Sequence, residues 1–297
     1  MTAVSHSLKH LGKTIDAIDF KCATKPLIIG ISGPQGSGKS YLVSSLQKQL
    51  QAQYPQLSIV SFLMDDLYLT YAEQCRLTDT SVADGNKLLQ GRGLPGTHDI
   101  DLCLGIFHNL ITRYKGGQVI SEENPVRIPS YDKSAHGGLG DRRANDTVVA
   151  TPADVVLFEG WFNGFRALDR DRIRLAYLLS DIGNVVQQHR MYHIEQVNTA
   201  LAAYEPIWCL FDEFIYLHTD DINNVYQWRL QQEHDLIAQH GAGMTDAQVV
   251  DFIDRYMACY KLYYETMCDH GLPNVTNLRI SIARDRTVVS TAVFTGE

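Results

Sequence analysis

One short stretch of this sequence constrains the fold and the chemistry of the chain more than any other. Residues 33–40 read GPQGSGKS, which matches the pattern GxxxxGK[ST], and an apolar run at residues 26–31 precedes them. Glycines let a backbone curl until successive N–H groups point inward, and a helix that begins here adds the partial positive charge of its N-terminus. Random sequences of this length meet the pattern in roughly one or two per cent of cases. The stretch therefore predicts a site that binds phosphate groups.

The residues of this stretch have separate predicted tasks in holding a nucleotide. The backbone of residues 33–38 is expected to surround the phosphate oxygens. Lys39 can neutralise the β- and γ-phosphates, and the hydroxyl of Ser40 can supply one oxygen ligand to Mg²⁺. The predicted nucleotide-binding residues are Gly33, Pro34, Gln35, Gly36, Ser37, Gly38, Lys39 and Ser40.

Strands and helices alternate along the rest of the chain. Apolar runs predict buried strands, and apolar residues at helical spacing predict helices. The predicted strands are 26–31, 57–63, 154–158 and 214–217, and a hairpin over 278–294 turns at Arg284 and Asp285. The predicted helices are 40–51, 102–113, one from about 222 and one from 245, where Thr245 and Gln248 match a capping box. This alternation predicts an α/β fold with a mainly parallel central sheet and helices on both faces.

Acidic residues follow two of the predicted strands. Asp65 and Asp66 follow the strand at 57–63, and Glu159 follows the strand at 154–158. Ligands bind at the C-terminal ends of parallel strands, so these carboxylates are expected near the phosphate site. Glu159 would be a second anchor for Mg²⁺, and Asp65 would accept the proton of an attacking hydroxyl. Taken singly, acidic residues at these positions are also common in turns.

Charge and composition exclude several classes of function. The net charge of −8 argues against nucleic acid or an anionic membrane surface as the main partner. The apolar runs are far shorter than the ~20 residues that a membrane span needs, and the N-terminus has no apolar block of a signal peptide. The six scattered cysteines contain no CxxC pair, which favours reduced thiols. We therefore predict a cytoplasmic protein whose partner is a small molecule, and nothing in the sequence indicates an oligomeric state.

Longer stretches of the sequence resemble one known family. They are MDDLYLT at 64–70, LLQGRGLPGTHD at 88–99, PSYDKSAHGGLGDR at 129–142, LFEGWFNGF at 157–165 and DDINNVYQWRLQQEHDLI at 220–237. With the glycine-rich stretch, they resemble the fungal ATP-dependent kinases akin to plant-type D-glycerate 3-kinase, in the group that contains phosphoribulokinase, uridine kinase and pantothenate kinase. The resemblance covers nearly the whole chain from about Pro26, and residues 169–208 match least well.

The resemblance implies a single P-loop kinase domain that transfers a phosphoryl group from MgATP to a hydroxyl of D-glycerate. By the resemblance, the catalytic residues are Lys39, Asp65 as the base, and Arg229 on a lid, where it would stabilise charge on the transferring group. The alternative for Arg229 is an ion pair with Glu233, one helical turn further on. Asp66 would be an auxiliary, either water-bridged to Mg²⁺ or structural.

The acceptor, an anionic hydroxy acid, needs cations and hydrogen-bonding groups. Arg92, Lys133 and Arg142 are predicted to hold its negative groups, because arginine offers a planar fork and lysine a point charge. His98 and Asp99 are predicted to hydrogen-bond its hydroxyls, and Tyr131 to form a wall. The alternatives are solvated charges on two surface loops and a packed or solvent-facing histidine.

The resemblance also divides the chain into segments. Residues 1–25 are expected to be an N-terminal extension or helix, and residues 71–150 the acceptor-binding loops with one helix. Residues 169–208 would be an insertion, and residues 220–240 a lid or helix region.

Two other functions stay open. The first is a sister kinase that acts on a nucleoside, pantothenate or a sugar phosphate. The second is a nucleotide-dependent switch, although the guanine-reading pattern NKxD and an LSGGQ signature are both absent from the sequence.

Overall fold

The computed structural model of the protein describes residues 1–115, 119–145, 147–179, 185–241 and 243–296. Residues 116–118 and 146 of the predicted acceptor loops, and residues 180–184 of the least well matched segment, lie outside the described residues. The strands are β1 Leu27–Ser32, β2 Ile59–Leu63, β3 Val126–Ile128, β4 Tyr131–Asp132, β5 Asp141–Arg142, β6 Thr147–Val149, β7 Val155–Glu159, β8 Glu213–His218, β9 Thr276–Ile282 and β10 Val288–Thr295. The α-helices are α1 Ala3–Asp16, α2 Lys39–Gln53, α3 Tyr71–Asp84, α4 Ile100–Thr112, α5 Arg170–Leu179, α6 Met191–Ala202, α7 Glu205–Trp208, α8 Asn224–His240, α9 Asp246–Cys259 and α10 Glu265–His270.

A six-stranded sheet in the order β10-β9-β8-β1-β7-β2 lies at the centre. Its neighbouring strands are parallel except β10, which is antiparallel to β9 and forms the predicted C-terminal hairpin. All residues of β1 and β7 are buried, as expected for inner strands of a parallel sheet. The mainly parallel sheet predicted from the alternating pattern is confirmed.

Helices cover both faces of this sheet, and β8 shows which helices lie on which face. Glu213 of β8 accepts a hydrogen bond of 2.8 Å from the Thr14 hydroxyl, and its second carboxylate oxygen lies 2.8 Å from Nε2 of His10. Both partners lie on α1. Tyr216, three positions further on, donates to the Cys268 carbonyl of α10. Since odd and even positions of a strand point to opposite faces, α1 and α10 pack on opposite sides of the sheet.

The region of the predicted acceptor loops contains more helix than the sequence indicated. Residues 71–84 form α3, which the prediction of one helix in this region missed. Thr70 and Glu73 form a capping box at its start, and Gly85 ends it with φ of 74°. The helix buries only Gln74 and Ser81, so it lacks the apolar stripe that reveals a helix in a sequence.

The least well matched segment, residues 169–208, forms α5, α6 and α7 in the part that the structure describes. Asn198 of α6 exchanges two hydrogen bonds of 2.9 Å with the backbone of Leu168, and Tyr263 donates to it at 3.1 Å. Tyr204 and Trp208 are buried in the main core. The helices α6 and α7 therefore pack against the core, whereas α5 buries only Ile173. No helix in the described ranges is both long and apolar enough to span a bilayer.

Candidate active site

The glycine-rich stretch forms the turn between β1 and α2. Gly36 has φ of 77°, and a Cβ atom there would lie 2.5 Å from the Cβ of Trp228, so only glycine fits. Gly38 is the residue before α2 and has no side chain that could cap the helix. The N–H groups of the first turn are therefore available to an anion. The buried hydroxyl of Ser37 has no hydrogen-bond partner among the described residues. These donors fit a chain of phosphate groups.

Lys39 lies buried at the start of α2, between the turn and the acidic side of the site. Its ammonium group donates to the Pro34 carbonyl at 3.1 Å and lies 3.9 Å from Oε1 of Glu159. Burial lowers the pKa of Lys39, and the charges of Glu159 and Asp65 only partly offset this. A buried ammonium group with so few anionic contacts is suited to bind a further anion.

Ser40 and Glu159 bring two oxygen ligands together beside the turn. The Ser40 hydroxyl donates to Oε2 of Glu159 at 3.2 Å. Burial raises the pKa of Glu159, while Lys39 opposes that rise. Mg²⁺ binds proteins through a few hard oxygen ligands and completes its shell with phosphate oxygens and water. Ser40 and Glu159 could hold such an ion, and no cluster of three His, Cys, Asp or Glu side chains in the described ranges forms a self-sufficient metal site.

Asp65 lies directly after β2, with both carboxylate oxygens in contact with other side chains. Tyr68 donates to Oδ1 at 2.8 Å, and the Lys133 ammonium group contacts Oδ2 at 2.5 Å. Burial pushes the pKa of Asp65 upward, but Lys133 and the hydrogen bonds outweigh it, so the pKa lies below its usual range. The charge of Asp65 also acts on two neighbouring groups. It partly offsets the lowering of the Lys39 pKa by burial, and it adds to the rise of the Glu159 pKa that burial causes. The predicted base therefore lies beside the phosphate site.

Asp66 has a different environment from Asp65. Its Oδ2 accepts the Leu63 N–H at 3.0 Å, and the Tyr131 backbone N–H also bonds to this carboxylate. Burial raises its pKa. Asp66 thus ties the end of β2 to β4, which is the structural task that the sequence left as one of two alternatives. Its contribution to a Mg²⁺ site stays a prediction.

Arg92 joins the two glycine-rich loops of the predicted acceptor region. Its guanidinium group donates to the carbonyls of Gly138 at 2.8 Å, Leu139 at 2.6 Å and Lys133 at 3.3 Å, and it lies 5.7 Å above the ring of Tyr131. Its donors are largely used by these backbone contacts. Arg92 therefore shapes the loop that carries Lys133.

Arg142 and Asp99 were both predicted to contact the acceptor, and the structure pairs them with each other. Arg142 donates to Oδ2 of Asp99 at 2.9 Å and to the Tyr68 carbonyl at 3.1 Å. Oδ1 of Asp99 accepts the Leu102 N–H at 2.9 Å and so caps α4. Both residues hold the segments around Asp65 in position.

His98 and Tyr131 each have a buried polar atom without a partner among the described residues, namely Nε2 of His98 and the Tyr131 hydroxyl. Nδ1 of His98 lies 2.8 Å from the Tyr204 hydroxyl, and the ring stacks on Tyr68 with centroids 4.6 Å apart. Burial lowers the pKa of His98 to about 3, although the nearby charge of Asp65 opposes this. A neutral histidine and a tyrosine thus offer two free hydrogen-bonding atoms near Asp65.

Arg229 lies on α8, in an ion pair of 2.7 Å with Glu233. Glu233 is buried and also accepts the Met244 N–H at 2.8 Å, while Arg229 lies over the Phe252 ring at 5.7 Å. The structure therefore contains the ion pair that the sequence offered as the alternative to a lid residue. A role of Arg229 at the transferring phosphoryl group stays a prediction.

A residue that the sequence reasoning missed touches the phosphate site from the C-terminal hairpin. Arg286 donates to the Gly36 carbonyl at 2.7 Å and lies over the Trp228 ring at 5.6 Å. Beside it is a shallow cavity of about 590 Å³, wide open to solvent and lined by Gln231, Ala283, Arg284, Asp285 and Arg286. The sequence predicted the turn at residues 284 and 285. It did not predict the contact of Arg286 with Gly36, because the two residues lie 250 positions apart in the sequence.

Three tyrosines of the site were also missed as functional residues. Tyr68 bonds Asp65, Tyr204 bonds His98, and the Tyr260 hydroxyl accepts the Gln35 N–H at 2.9 Å. Tyr68 lies within a motif that carried the family resemblance. Tyr260 lies in a stripe that predicted only core packing, and Tyr204 lies in the least well matched segment, so local spacing held no signal for either.

A phosphate-binding turn in the middle of a parallel sheet, with carboxylates at the ends of neighbouring strands, is the arrangement of a P-loop kinase. Comparisons with known proteins agree with this class. The chain is 37% identical over 297 residues to the probable ATP-dependent kinase TDA10 of Saccharomyces cerevisiae, covering 98% of this chain and 96% of that protein. It is 35% identical over 249 residues to the chloroplastic D-glycerate 3-kinase of Arabidopsis thaliana, covering 83% of this chain and 49% of that protein.

A comparison with solved structures also finds a D-glycerate 3-kinase. The structure of D-glycerate 3-kinase from Cryptococcus neoformans is 33% identical to this chain, with a TM-score of 0.82 over 98% of this chain and 97% of that one. No protein-family model matches the chain. The chain belongs to the family of ATP-dependent P-loop kinases that contains TDA10 and these D-glycerate 3-kinases.

Proposed function

We propose that this protein transfers the γ-phosphoryl group of MgATP to a hydroxyl of a small anionic hydroxy acid, D-glycerate, giving 3-phosphoglycerate. The observation that carries the proposal is the position of Asp65. This carboxylate contacts Lys133 at 2.5 Å, and its charge also acts on the ammonium group of Lys39 and the carboxyl group of Glu159. It thus lies between a cation suited to an anionic acceptor and the site for the phosphate donor.

The donor side of the site fits ATP with Mg²⁺. The turn at residues 33–38 offers backbone N–H groups and the unpaired Ser37 hydroxyl to the phosphates. Lys39 would neutralise the β- and γ-phosphates, and Ser40 and Glu159 would hold Mg²⁺, which supplies positive charge against the charge that develops on the phosphate oxygens. The cavity beside Arg286 would take the base end of the nucleotide, because it adjoins Gly36.

The acceptor side offers one available cation and two neutral groups. Lys133 is the predicted cation whose side chain remains 57% exposed, whereas Arg92 and Arg142 are engaged with backbone carbonyls and Asp99. Nε2 of His98 and the Tyr131 hydroxyl would hydrogen-bond the acceptor's oxygen atoms. A carboxylate together with hydroxyl groups is the ligand chemistry that these groups would recognise.

The transfer itself needs a base and charge stabilisation. The acceptor oxygen forms a bond to the γ-phosphorus while the bond from that phosphorus to the β–γ bridging oxygen breaks, and the bond's electron pair leaves with ADP. The proton of the acceptor hydroxyl passes to Asp65, which releases it to solvent after the transfer. Arg229 would turn from Glu233 towards the transferring group and stabilise its charge.

The test is an assay of ADP release by the purified protein with MgATP and a panel of acceptors: D-glycerate, uridine, pantothenate and ribulose 5-phosphate. We expect turnover with D-glycerate and its loss by at least about 100-fold in Asp65→Asn. Asp79→Asn, a change at an exposed position in the middle of α3, is the matched control. Turnover with another acceptor alone would replace D-glycerate by that substrate. Tight ATP binding without turnover on any acceptor would reject the kinase proposal.

A further inference from the structure

Lys133 differs from the other cations of the acceptor region in how it is held. Arg92 donates to three carbonyls, and Arg142 is paired with Asp99. The ammonium group of Lys133 has its contact with Asp65 and no other ion pair among the described residues. Lysine has a flexible four-carbon stem, so its head can move to another anion without disturbing the packing.

The backbone that carries Lys133 is, in contrast, well fixed. Arg92 binds its carbonyl at 3.3 Å, and the preceding residues pair with β5, Tyr131 opposite Arg142 and Asp132 opposite Asp141. The side chain of Lys133 therefore pivots about a fixed point. Any anion that replaces Asp65 as its partner must lie within reach of this side chain.

An ion pair of 2.5 Å has a chemical consequence for a general base. A carboxylate that is paired with a cation and accepts a second hydrogen bond has little tendency to take up a proton, and Asp65 has both contacts, one from Lys133 and one from Tyr68. With Lys133 bound to it, Asp65 is a weaker base than it would be with the hydrogen bond from Tyr68 alone. The pairing therefore opposes the task that the proposed function gives to Asp65.

We propose that Lys133 is a latch on Asp65 that the acceptor's own carboxylate opens. The inference rests on the proposed kinase function and deepens it. The incoming carboxylate takes over the ammonium group of Lys133, and Asp65 keeps the hydrogen bond from Tyr68 and becomes free to accept the proton of the acceptor hydroxyl. While the latch is closed, Asp65 does not activate a water molecule, so the γ-phosphoryl group is not lost to water as inorganic phosphate.

The latch also restricts the class of acceptor. The carboxylate must lie within hydrogen-bonding distance of Lys133 while the reacting hydroxyl lies within the same distance of Asp65, each roughly 3 Å. Since the two side chains now touch, the carboxylate and the hydroxyl must belong to one small molecule and be separated by only a few bonds. Hydroxy acids meet this condition, whereas neutral polyols with the same hydroxyl lack the group that opens the latch.

The first experiment measures ATP hydrolysis without any acceptor in Lys133→Met, which removes the charge and keeps the length of the side chain. We expect hydrolysis at least about five times faster than in the wild type, because Asp65 can then activate water. Lys48→Met, at an exposed position on α2, is the matched control. Hydrolysis that stays unchanged or falls in folded Lys133→Met would overturn the latch.

The second experiment uses the wild-type chain, so it does not depend on whether a variant folds. The pKa of the ¹³C-labelled Asp65 carboxyl is followed by NMR with MgADP, then with added D-glycerate or its neutral amide, D-glyceramide. We expect D-glycerate to raise this pKa and D-glyceramide to leave it unchanged. No rise at saturating D-glycerate, or turnover of D-glyceramide as fast as that of D-glycerate, would overturn the proposal.

These outcomes separate the latch from the proposed function. If the wild type phosphorylates no acceptor on the panel, the proposed function fails. The acceptor-free hydrolysis by Lys133→Met still reports in that case whether Lys133 restrains Asp65. If the wild type phosphorylates D-glycerate but Lys133→Met shows neither faster hydrolysis nor a higher Asp65 pKa, the latch alone is rejected.

Discussion

The hydroxyl of Ser40 donates a hydrogen bond of 3.2 Å to Glu159, which joins the first turn of α2 to the end of β7 across 119 residues of sequence. The parallel register brings this about, because Glu159 lies opposite Ile31, the last residue but one of β1. The turn that follows β1 and the carboxylate that ends β7 must therefore lie side by side. The two oxygen atoms predicted to bind Mg²⁺ therefore lie at positions that the register of the sheet sets.

Glu159→Gln tests this pair of ligands. The change keeps the shape of the side chain but removes its charge, so we expect the Mg²⁺ concentration for half-maximal turnover to rise roughly 10- to 100-fold. The measurement is ADP release against Mg²⁺ concentration, with Glu122→Gln at an exposed loop position as control. An unchanged Mg²⁺ dependence in the folded variant would exclude Glu159 from the metal site.

Gly36→Ala should abolish nucleotide binding. The added Cβ would lie 2.5 Å from the Cβ of Trp228, at a φ of 77° that side chains rarely adopt, so the turn has to move. Gly105→Ala is the matched control, because a Cβ at this helical position meets no atom within 4 Å. We expect that control to bind ATP normally and to be more stable by about 0.5–1 kcal/mol. ATP titration calorimetry and thermal unfolding measure both, and normal ATP binding by Gly36→Ala would contradict the geometry.

His98→Phe should weaken acceptor binding without changing ATP binding. Phenylalanine keeps the stacking on Tyr68 but removes Nε2, and a lost hydrogen bond corresponds to roughly a tenfold rise in the acceptor KM. Tyr204→Phe removes the partner of Nδ1, and with it the acceptor of the Gly96 N–H, and serves as the comparison. Equal KM values in His98→Phe and the wild type would show that His98 is a packing residue only.

The stability of the protein should depend on pH through His98. Its pKa is about 3 in the folded chain against an ordinary value of 6.5, so below pH 6.5 the unfolded chain binds a proton that the folded chain does not. The contribution of His98 to the free energy of unfolding is therefore complete above pH 6.5 and is lost as the pH falls towards 3, by about 1.4 kcal/mol per pH unit. Urea unfolding of wild type and His98→Phe between pH 4 and about 8 measures it. A stability difference that does not vary with pH would contradict this prediction.

Arg229→Gln and Glu233→Gln together test the role of the ion pair on α8. If Arg229 turns to the transferring phosphoryl group, Arg229→Gln lowers kcat on the order of 100-fold, and Glu233→Gln, which only releases the guanidinium group, leaves kcat within a few-fold of the wild type. We expect this pattern. Retained kcat in Arg229→Gln, with similar losses of stability in both variants, would reduce the pair to a contact that stabilises the fold.

Much of the fold could be predicted because its signals are local. The apolar run of β1, the glycines after it and the capping box at Thr245 each concern a few consecutive residues, and the structure contains all three. The helix α3 was missed for the same reason, since its exposed surface carries no apolar period. Its Thr70 and Glu73 capping box was the available signal, and it stood without the stripe that usually accompanies it.

The sequence predicted candidate residues for the site, but it did not predict the partners that these side chains have in the structure. Arg92, Arg142 and Lys133 were all assigned to the acceptor as cations of two loops. The structure distinguishes them, because Arg92 bonds backbone carbonyls, Arg142 bonds Asp99, and Lys133 bonds Asp65. Partners that lie roughly 40 to 70 residues apart in the sequence leave no trace in local spacing. The sequence therefore assigned all three cations the same task.

The sequence by itself determined the class of the fold and predicted where phosphate groups would bind. A glycine-rich turn between a buried strand and a helix creates a phosphate site by backbone geometry alone, wherever the rest of the chain goes. Only the tertiary structure decided which partner each predicted acceptor-binding side chain has. Charges and hydrogen bonds act through space over a few ångströms, and the crossovers of the parallel sheet bring Lys133 against Asp65 across 68 residues of sequence.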